Sequence, residues 1–418
     1  MPYQRRAWLR AMAPAAVLVL LGAGCGSSNK TVSSGSTGSA ASSKLPTYTI
    51  GLLTDLTGPV ASGEESAPLG IKAGIGLATH EGYNIKYVVG DTGSSPSGAL
   101  TAAQTLVEQD HVFAVIALSN LTFAAAPFLA SHGVPVLGSA TDGPEWLTSR
   151  NMLSVTGAAD YTKVFTVVGQ FLKLVGVTNM SAIGFGISPR SADAAKGADL
   201  SAQAAGIKVG YLNAALPYGT TNVGPEAIAM KNAGVDGFVS DVSTNTSFAI
   251  LNALRQEGVT LKGSFLPTGY GGDLSQGGPE AGQIAQGLDF SSNFEPVEMG
   301  TAATKQLQHY MEVDAAVSTD PTYAEYLGYV SVDALAAGLK AAGPNPTRAS
   351  FINAMLGITN YNAAGLYGTH SVSFAMAGRG DVSAADNCTW FARYSGTTFH
   401  LIPGAEPLCG SLIPGKTA

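Results

Sequence analysis

The side chains that could carry out chemistry are few in this 418-residue chain, and their spacing argues against catalysis. Six histidines, at 80, 111, 132, 309, 370 and 400, fall singly and without metal-ligand spacing, and no H-E-x-x-H motif is present. There is no G-x-S-x-G turn to present a nucleophilic serine. Gly410–Thr417 reads GSLIPGKT and satisfies the letters of a phosphate-binding loop. Such a loop needs a strand before it and a helix after it, whose N-terminal amides face the phosphates. Only Ala418 follows Thr417, so the match is read as coincidence. Glu64 and Glu65 could pair as general acid and base, but carboxylates at a helix start are favoured there by its dipole, which makes a solvated helix start the preferred reading.

Because catalysis finds no support, the elements that position the loops become the informative part. Short apolar runs at Tyr48–Leu53, Ile85–Val89, Val112–Leu118 and Val134–Leu137 alternate with helical stretches at Ala67–Glu81, Gly98–Gln109 and Phe123–His132. A second series follows. Helices are expected at Tyr161–Val175, Ser191–Ala205, Glu226–Ala233 and Phe248–Gly258, and strands at Ser181–Phe185, Lys208–Leu212, Gly237–Val242 and Gly263–Leu266. Near-continuous apolar strands separated by helices imply parallel sheets covered on both faces. The fold class is therefore α/β, with two doubly wound lobes. Such sheets bind ligands at the carboxyl ends of their strands, which points to the loops Thr54–Glu65, Ser119–Thr122, Gly138–Trp146, Gly186–Ser191, Asp241–Thr246 and Pro267–Asp273.

The N-terminus has the layout of a secretory signal: Arg5, Arg6 and Arg10, an apolar run from Ala11 to Leu21, then Gly22, Ala23 and Gly24 before Cys25. The run is too short for a membrane span, which takes about 20 apolar residues, and it contains Pro14. Residues 1–24 resemble a bacterial lipoprotein signal and Cys25 the lipidated cysteine, although Gly22 stands where leucine is usual. Gln4–Arg10 (QRRAWLR) is also similar to a twin-arginine export signal, and both export routes stay open. Residues 25–46 would be the lipidated cysteine and its tether. Within it, Gly26–Lys44 holds eight serines, three glycines and no large apolar side chain, and a coil of that length reaches roughly 24 Å. A signal that removes three positive and no negative charges from a net −7 leaves a mature chain near −10. An acidic chain excludes nucleic acid as a partner. Cys388 and Cys409 remain as an even pair in an oxidising compartment and are expected to be bridged, with two free buried thiols as the alternative.

Three stretches together resemble the type I periplasmic binding proteins of the leucine/isoleucine/valine-binding family. They are IGLLTDLTGPVASGEESAPLGIKAGI (50–75), GDTGSSPSGALTAAQTLVEQDHVFAVIA (90–117) and YAEYLGYVSVDALAAGLKAAG (323–343). The resemblance implies two lobes, 47–157 with 289–368 and 158–288 with 369–418, joined by three crossovers near Ser154–Asp160, Leu288–Asn293 and Tyr367–Phe374. It implies a monomeric, non-enzymatic receptor without metal or cofactor, which holds a small molecule and delivers it to the permease and ATPase of an ABC importer. By the same resemblance, Ser119, with Asn120 nearby, and Ser139, Ala140 and Thr141 would hold the ligand's anionic end through hydroxyls and amides. The second lobe departs from the family pattern, with GISPRSADAA (186–195) and LPTGYGGDL (266–274) in place of the usual ammonium partners. There Tyr270 could offer a ring face, and Asp241 or Asp273 a charge. The expected ligand is small and polar or amphipathic, amino-acid-like or a carboxylate or amide. A membrane-anchored sensor without a transport role is the alternative, to be told apart by whether permease or regulator genes adjoin.

Overall fold

The apolar runs of the first third build one parallel sheet in the computed structural model, which describes residues 46–139 and 143–418. Its strands are β1 (Thr47–Thr54), β2 (Asn84–Asp91), β3 (Ala114–Ala117), β4 (Val136–Gly138) and β5 (Met152–Ser154), in the order β2-β1-β3-β4-β5. Ile50 stands opposite Tyr87 on one side and Ala114 on the other. Side chains alternate across a strand, so Leu52 and Ile116 enter one core while Leu53 and Val115 enter another. The signal segment and Cys25 lie outside the described residues.

The second lobe repeats the plan with β6 (Lys163–Phe165), β7 (Asn179–Phe185), β8 (Lys208–Leu216), β9 (Gly237–Asp241) and β10 (Gly263–Phe265), of which β10-β9-β7-β8 form a parallel sheet. β11 (Asp289–Ser292) continues it through a parallel bridge between Leu266 and Phe290, then pairs antiparallel with β12 (Cys388–Ser395). Asp289, fully buried, is held there by two hydrogen bonds from Arg393. β11 thus lies within the stretch Leu288–Asn293 where the chain is expected to cross between lobes. β13 (Thr398–Leu401) and β14 (Leu408–Cys409) also pair with β12, and the register that sets Cys388 against Cys409 carries a disulfide between them.

One local expectation is corrected, and another reading is given its physical basis. The helix expected at Tyr161–Val175 begins only at Val167 and ends at Leu174, because Lys163–Phe165 is β6, paired antiparallel with β15 (Leu412–Thr417). The residues of the phosphate-loop look-alike are therefore an edge strand, with no helix N-terminus to meet a phosphate.

After β11 the chain returns to the first lobe, where helix Tyr323–Ala342 packs along helix Ala67–His80. Small residues allow the approach: a Cβ on Gly70 would lie 2.1 Å from the Glu325 carbonyl oxygen, and one on Gly328 would lie 2.8 Å from the Ile71 nitrogen. The later helix starts with a capping box, in which Thr322 accepts from the Glu325 amide and the Glu325 carboxylate accepts from the Thr322 amide. Ser66 and Thr322 share a 2.6 Å hydrogen bond between hydroxyls, which ties this cap to the loop after β1. Gly70→Val should lower the thermal midpoint by an amount equivalent to about 1–3 kcal/mol or more, since inserted methyl groups must push backbone aside. Gly224→Ala, which meets nothing within 4 Å, should leave it nearly unchanged, with both read by differential scanning fluorimetry.

Candidate ligand cleft

The loop after β1 is built by backbone demands. Gly58 turns at φ +98°, where a side chain would strike the Gly93 carbonyl 2.7 Å away. Asp91, at the end of β2, accepts from the Leu56 and Thr57 amides and the Thr57 hydroxyl at 3.0, 3.2 and 2.7 Å. These bonds hold its carboxyl below the usual range despite the opposing effect of burial. The loop then delivers Val60, Gly63 and Glu64 to a cleft between the lobes, joined by Asn120 after β3 and by Tyr323 at its helix start.

Across the cleft, Ser188 caps helix Pro189–Ala204 by accepting from the Ser191 amide at 3.3 Å. This places Arg190 in the first helical turn, where the dipole disfavours a cation. The compensating charge is Asp241 at the end of β9, which accepts a hydrogen bond from Arg190 Nη1, while the guanidinium lies 4.7 Å above the Tyr161 ring centre. Ser243, Thr268, Ser291 and Asn293 complete the polar wall. Asn293 donates to the Tyr323 hydroxyl at 3.2 Å. One rim is shut: Asn245 donates to the Pro59 carbonyl at 3.2 Å, and a Cβ on Gly219 would lie 2.6 Å from the Pro59 Cβ.

The expected site residues are distributed unevenly. Asn120 and Asp241 line the cleft. Ser119 is buried beside it, donating to Asp55 at 2.7 Å and accepting from the Leu121 amide at 3.1 Å, so its hydroxyl positions the loop. Ser139 is buried, with its hydroxyl 3.3 Å from that of Thr156. Ala140 and Thr141 lie outside the described residues. Tyr270 differs from expectation: its hydroxyl donates to Glu298 at 2.6 Å and accepts from the Val297 amide at 2.9 Å, and its ring packs on Phe399. It is only 3% exposed, so its ring face is not offered to a ligand. Asp273 is also buried, with Oδ2 accepting from the Gly269 and Tyr323 amides, both at 3.4 Å. The sequence reading passed over Arg190 and Tyr323. The signal for Arg190 was present, since it is the single basic residue in a segment already marked as departing from the family pattern. Glu64, expected at a solvated helix start, is instead 9% exposed in the cleft wall.

Burial dominates the ionisation of these groups. It pushes the Asp241 carboxyl up to about 6, with Arg190 pulling the other way, so the pair is ionised at neutral pH. Burial also works against the charge of Arg190, but Asp241 outweighs it and raises the guanidinium pKa. Glu64 is raised well above the usual carboxylate range by burial and by the charges of Asp55 and Asp273. Asp273 is pushed up to about 7 by burial, opposed by its two amide bonds. Glu325 also rises to about 7 through burial.

A carboxyl whose folded pKa exceeds its unfolded value holds a proton that the unfolded chain releases. It contributes stability that is present near pH 4 and lost as pH rises through about 7. The thermal midpoint of the ligand-free protein should therefore fall between pH 5 and pH 8, and Asp273→Asn should flatten that fall in scanning fluorimetry.

Two facing parallel-sheet lobes, with strand-end loops converging on a polar cleft, define a two-lobed binding protein. The chain belongs to the periplasmic binding protein family, whose match covers residues 47–398, and its fold is that of the type I members. It is similar to a leucine-binding protein from Thermotoga maritima (18% identity, 85% of this chain and 97% of that one, TM-score 0.69). It is also similar to two solute-binding proteins of R. palustris ABC transporters. One is in complex with benzoate (14% identity, 89% and 98% covered, TM-score 0.71) and the other with 4-hydroxybenzoate (18% identity, 85% and 96% covered, TM-score 0.70). No curated protein sequence matches this chain.

Proposed function

We propose that this protein is an extracytoplasmic solute receptor of an ABC importer, anchored to the membrane by lipid on Cys25 and holding a small polar or amphipathic ligand between its lobes. The observation that carries this reading is the cleft itself, which presents a guanidinium, hydroxyls and carboxamides from both lobes to one enclosed space. Arg190 retains a buried Nε without a partner, so it can still donate to a ligand carboxylate or carbonyl after pairing with Asp241. Asn120 and Asp241 contact the ligand directly in this reading. Ser119 and Ser139 set the geometry of the first-lobe wall in this reading, and Ala140 and Thr141 belong to the ligand set as amide and hydroxyl donors by the family resemblance alone. The Pro59 contacts with Asn245 and Gly219 exist only when the lobes are together, so ligand-driven closure would favour them and present a closed form to the permease and ATPase. The tether to Cys25 keeps a monomeric receptor beside those subunits.

A ligand at 100 times its dissociation constant stabilises a protein by about 2.7 kcal/mol. A thermal-shift panel of amino acids, amides, amines, aromatic acids and short fatty acids should therefore yield hits, and Arg190→Ala should weaken those hits at least tenfold in calorimetry. Wild-type affinity in Arg190→Ala would remove that residue from the site. Cys25→Ser should abolish incorporation of labelled palmitate and move the protein from the membrane fraction to the medium. Continued labelling would place the anchor elsewhere.

A further inference from the structure

Buried atoms of four charged side chains in the loops around the cleft lack a hydrogen-bond partner: Asp55 Oδ2 and Glu64 Oε2 in the first lobe, Arg190 Nε and Asp273 Oδ1 in the second. Glu64 is the informative one. It lines the cleft and is nine-tenths buried, and among the described residues no cation reaches its carboxyl. The charges acting on it are Asp55 and Asp273, both acidic. Arg190, the only basic side chain among the described cleft-lining residues, is tied to Asp241. A carboxylate in such a place is normally paired or neutralised. Without a ligand cation the neutralising partner is a proton, which agrees with the raised pKa of Glu64. Because Glu64 faces the space that the lobes enclose, a ligand can replace that proton with a cation of its own.

We propose that Glu64 seats a protonated amine of the ligand, so that the amine faces the first lobe and any carboxylate or carbonyl faces Arg190 on the second. This rests on the reading of the cleft as the solute site. Asp55 and Asp273 act behind Glu64 as positioning charges: each has one oxygen hydrogen-bonded within the protein and the other without a partner, and both add negative potential at the amine. The single guanidinium is already balanced by Asp241, so the remaining buried carboxyls favour a ligand that brings positive charge. A carboxylic acid lacking an amine would leave Glu64 protonated and unpartnered.

The test uses the detergent-solubilised full protein and compounds sharing one carbon skeleton. These are 3-methylbutylamine, 4-methylpentanoate and leucine; 2-phenylethylamine, 3-phenylpropanoate and phenylalanine; and benzoate and 4-hydroxybenzoate as acids alone. Calorimetry should show amine-bearing members binding at least tenfold more tightly than the acids. Their binding at pH 7 should release a proton, read as a dependence of the enthalpy on the ionisation heat of the buffer. Glu64→Gln should weaken amine-bearing ligands at least tenfold and leave acids within twofold, whereas Glu65→Gln, at an exposed neighbour, should change neither. In the ligand-free state at pH 8, Glu64→Gln should be at least as stable as wild type, and a fall in its thermal midpoint would make Glu64 a structural residue and overturn the assignment. Acids binding as tightly as amines, or Glu64→Gln binding amines normally, would overturn it while leaving the solute-receptor reading intact. Silence across all three series would overturn both.

Discussion

The close approach of helices Ala67–His80 and Tyr323–Ala342 is the constraint on which the cleft depends. Two segments more than 240 residues apart in sequence meet there with backbone almost touching backbone, and only glycine at 70 and 328 permits it. The contact does more than fill a core. It sets the capping box of the later helix beside the loop that follows β1, where the Ser66–Thr322 hydrogen bond fastens one to the other. Tyr323 and Glu64, one residue after that cap and two residues before Ser66, reach the cleft because this junction is rigid. A looser packing of the helices would let the first-lobe wall shift by the fractions of an ångström that decide whether a ligand group is hydrogen-bonded.

Charge is arranged around that junction in an unusual proportion. Exposed carboxylates interact weakly through water, but those of the cleft are buried, and burial raises the effect of every nearby charge. One ion pair is internally balanced, and three further carboxyls, Asp55, Glu64 and Asp273, have incomplete partners. Without a ligand cation, a proton on Glu64 and partial protonation of Asp273 offset the arrangement, which ties the stability of the ligand-free form to pH. The same incompleteness gives the site its appetite for a hydrogen-bond donor. Stability and recognition therefore draw on one set of groups, and completing their partners from outside would serve both.

Much of the fold was legible because the strands of parallel sheets are buried on both faces and read as unbroken apolar runs. β1, β2, β7 and β9 fall where those runs do, and the helices between them differ from expectation mostly at their ends. What local pattern could not show was long-range pairing. Lys163–Phe165 is a strand only because residues 412–417 lie against it, and those residues imitate a phosphate loop only on paper. The site was less legible for the same kind of reason. Tyr270 looks available as a residue type, but Glu298, the Val297 amide and Phe399 engage both its hydroxyl and its ring. Arg190 stood in view as a departure from the family pattern, and its role emerged only once Asp241 and Tyr161 were found around it.

The similar structures show how little the scaffold restricts the ligand. Proteins sharing this fold at 14–18% identity include one named for binding leucine, which carries an amine, and one in complex with benzoate, which does not. Similar folds with different ligands mean that fold alone does not set the ligand in those proteins, and that the side chains of the site do. In this chain the loop after β1 contributes a buried glutamate and the loop after β7 an arginine paired with Asp241, so the groups offered to the two ends of a ligand stand in opposite lobes. A ligand carrying both an amine and a carboxylate would complete that polarity, whereas one lacking either charge would leave a buried group unpaired at one end. Discrimination of this kind comes less from the contact that is made than from the penalty on the contact that is missing.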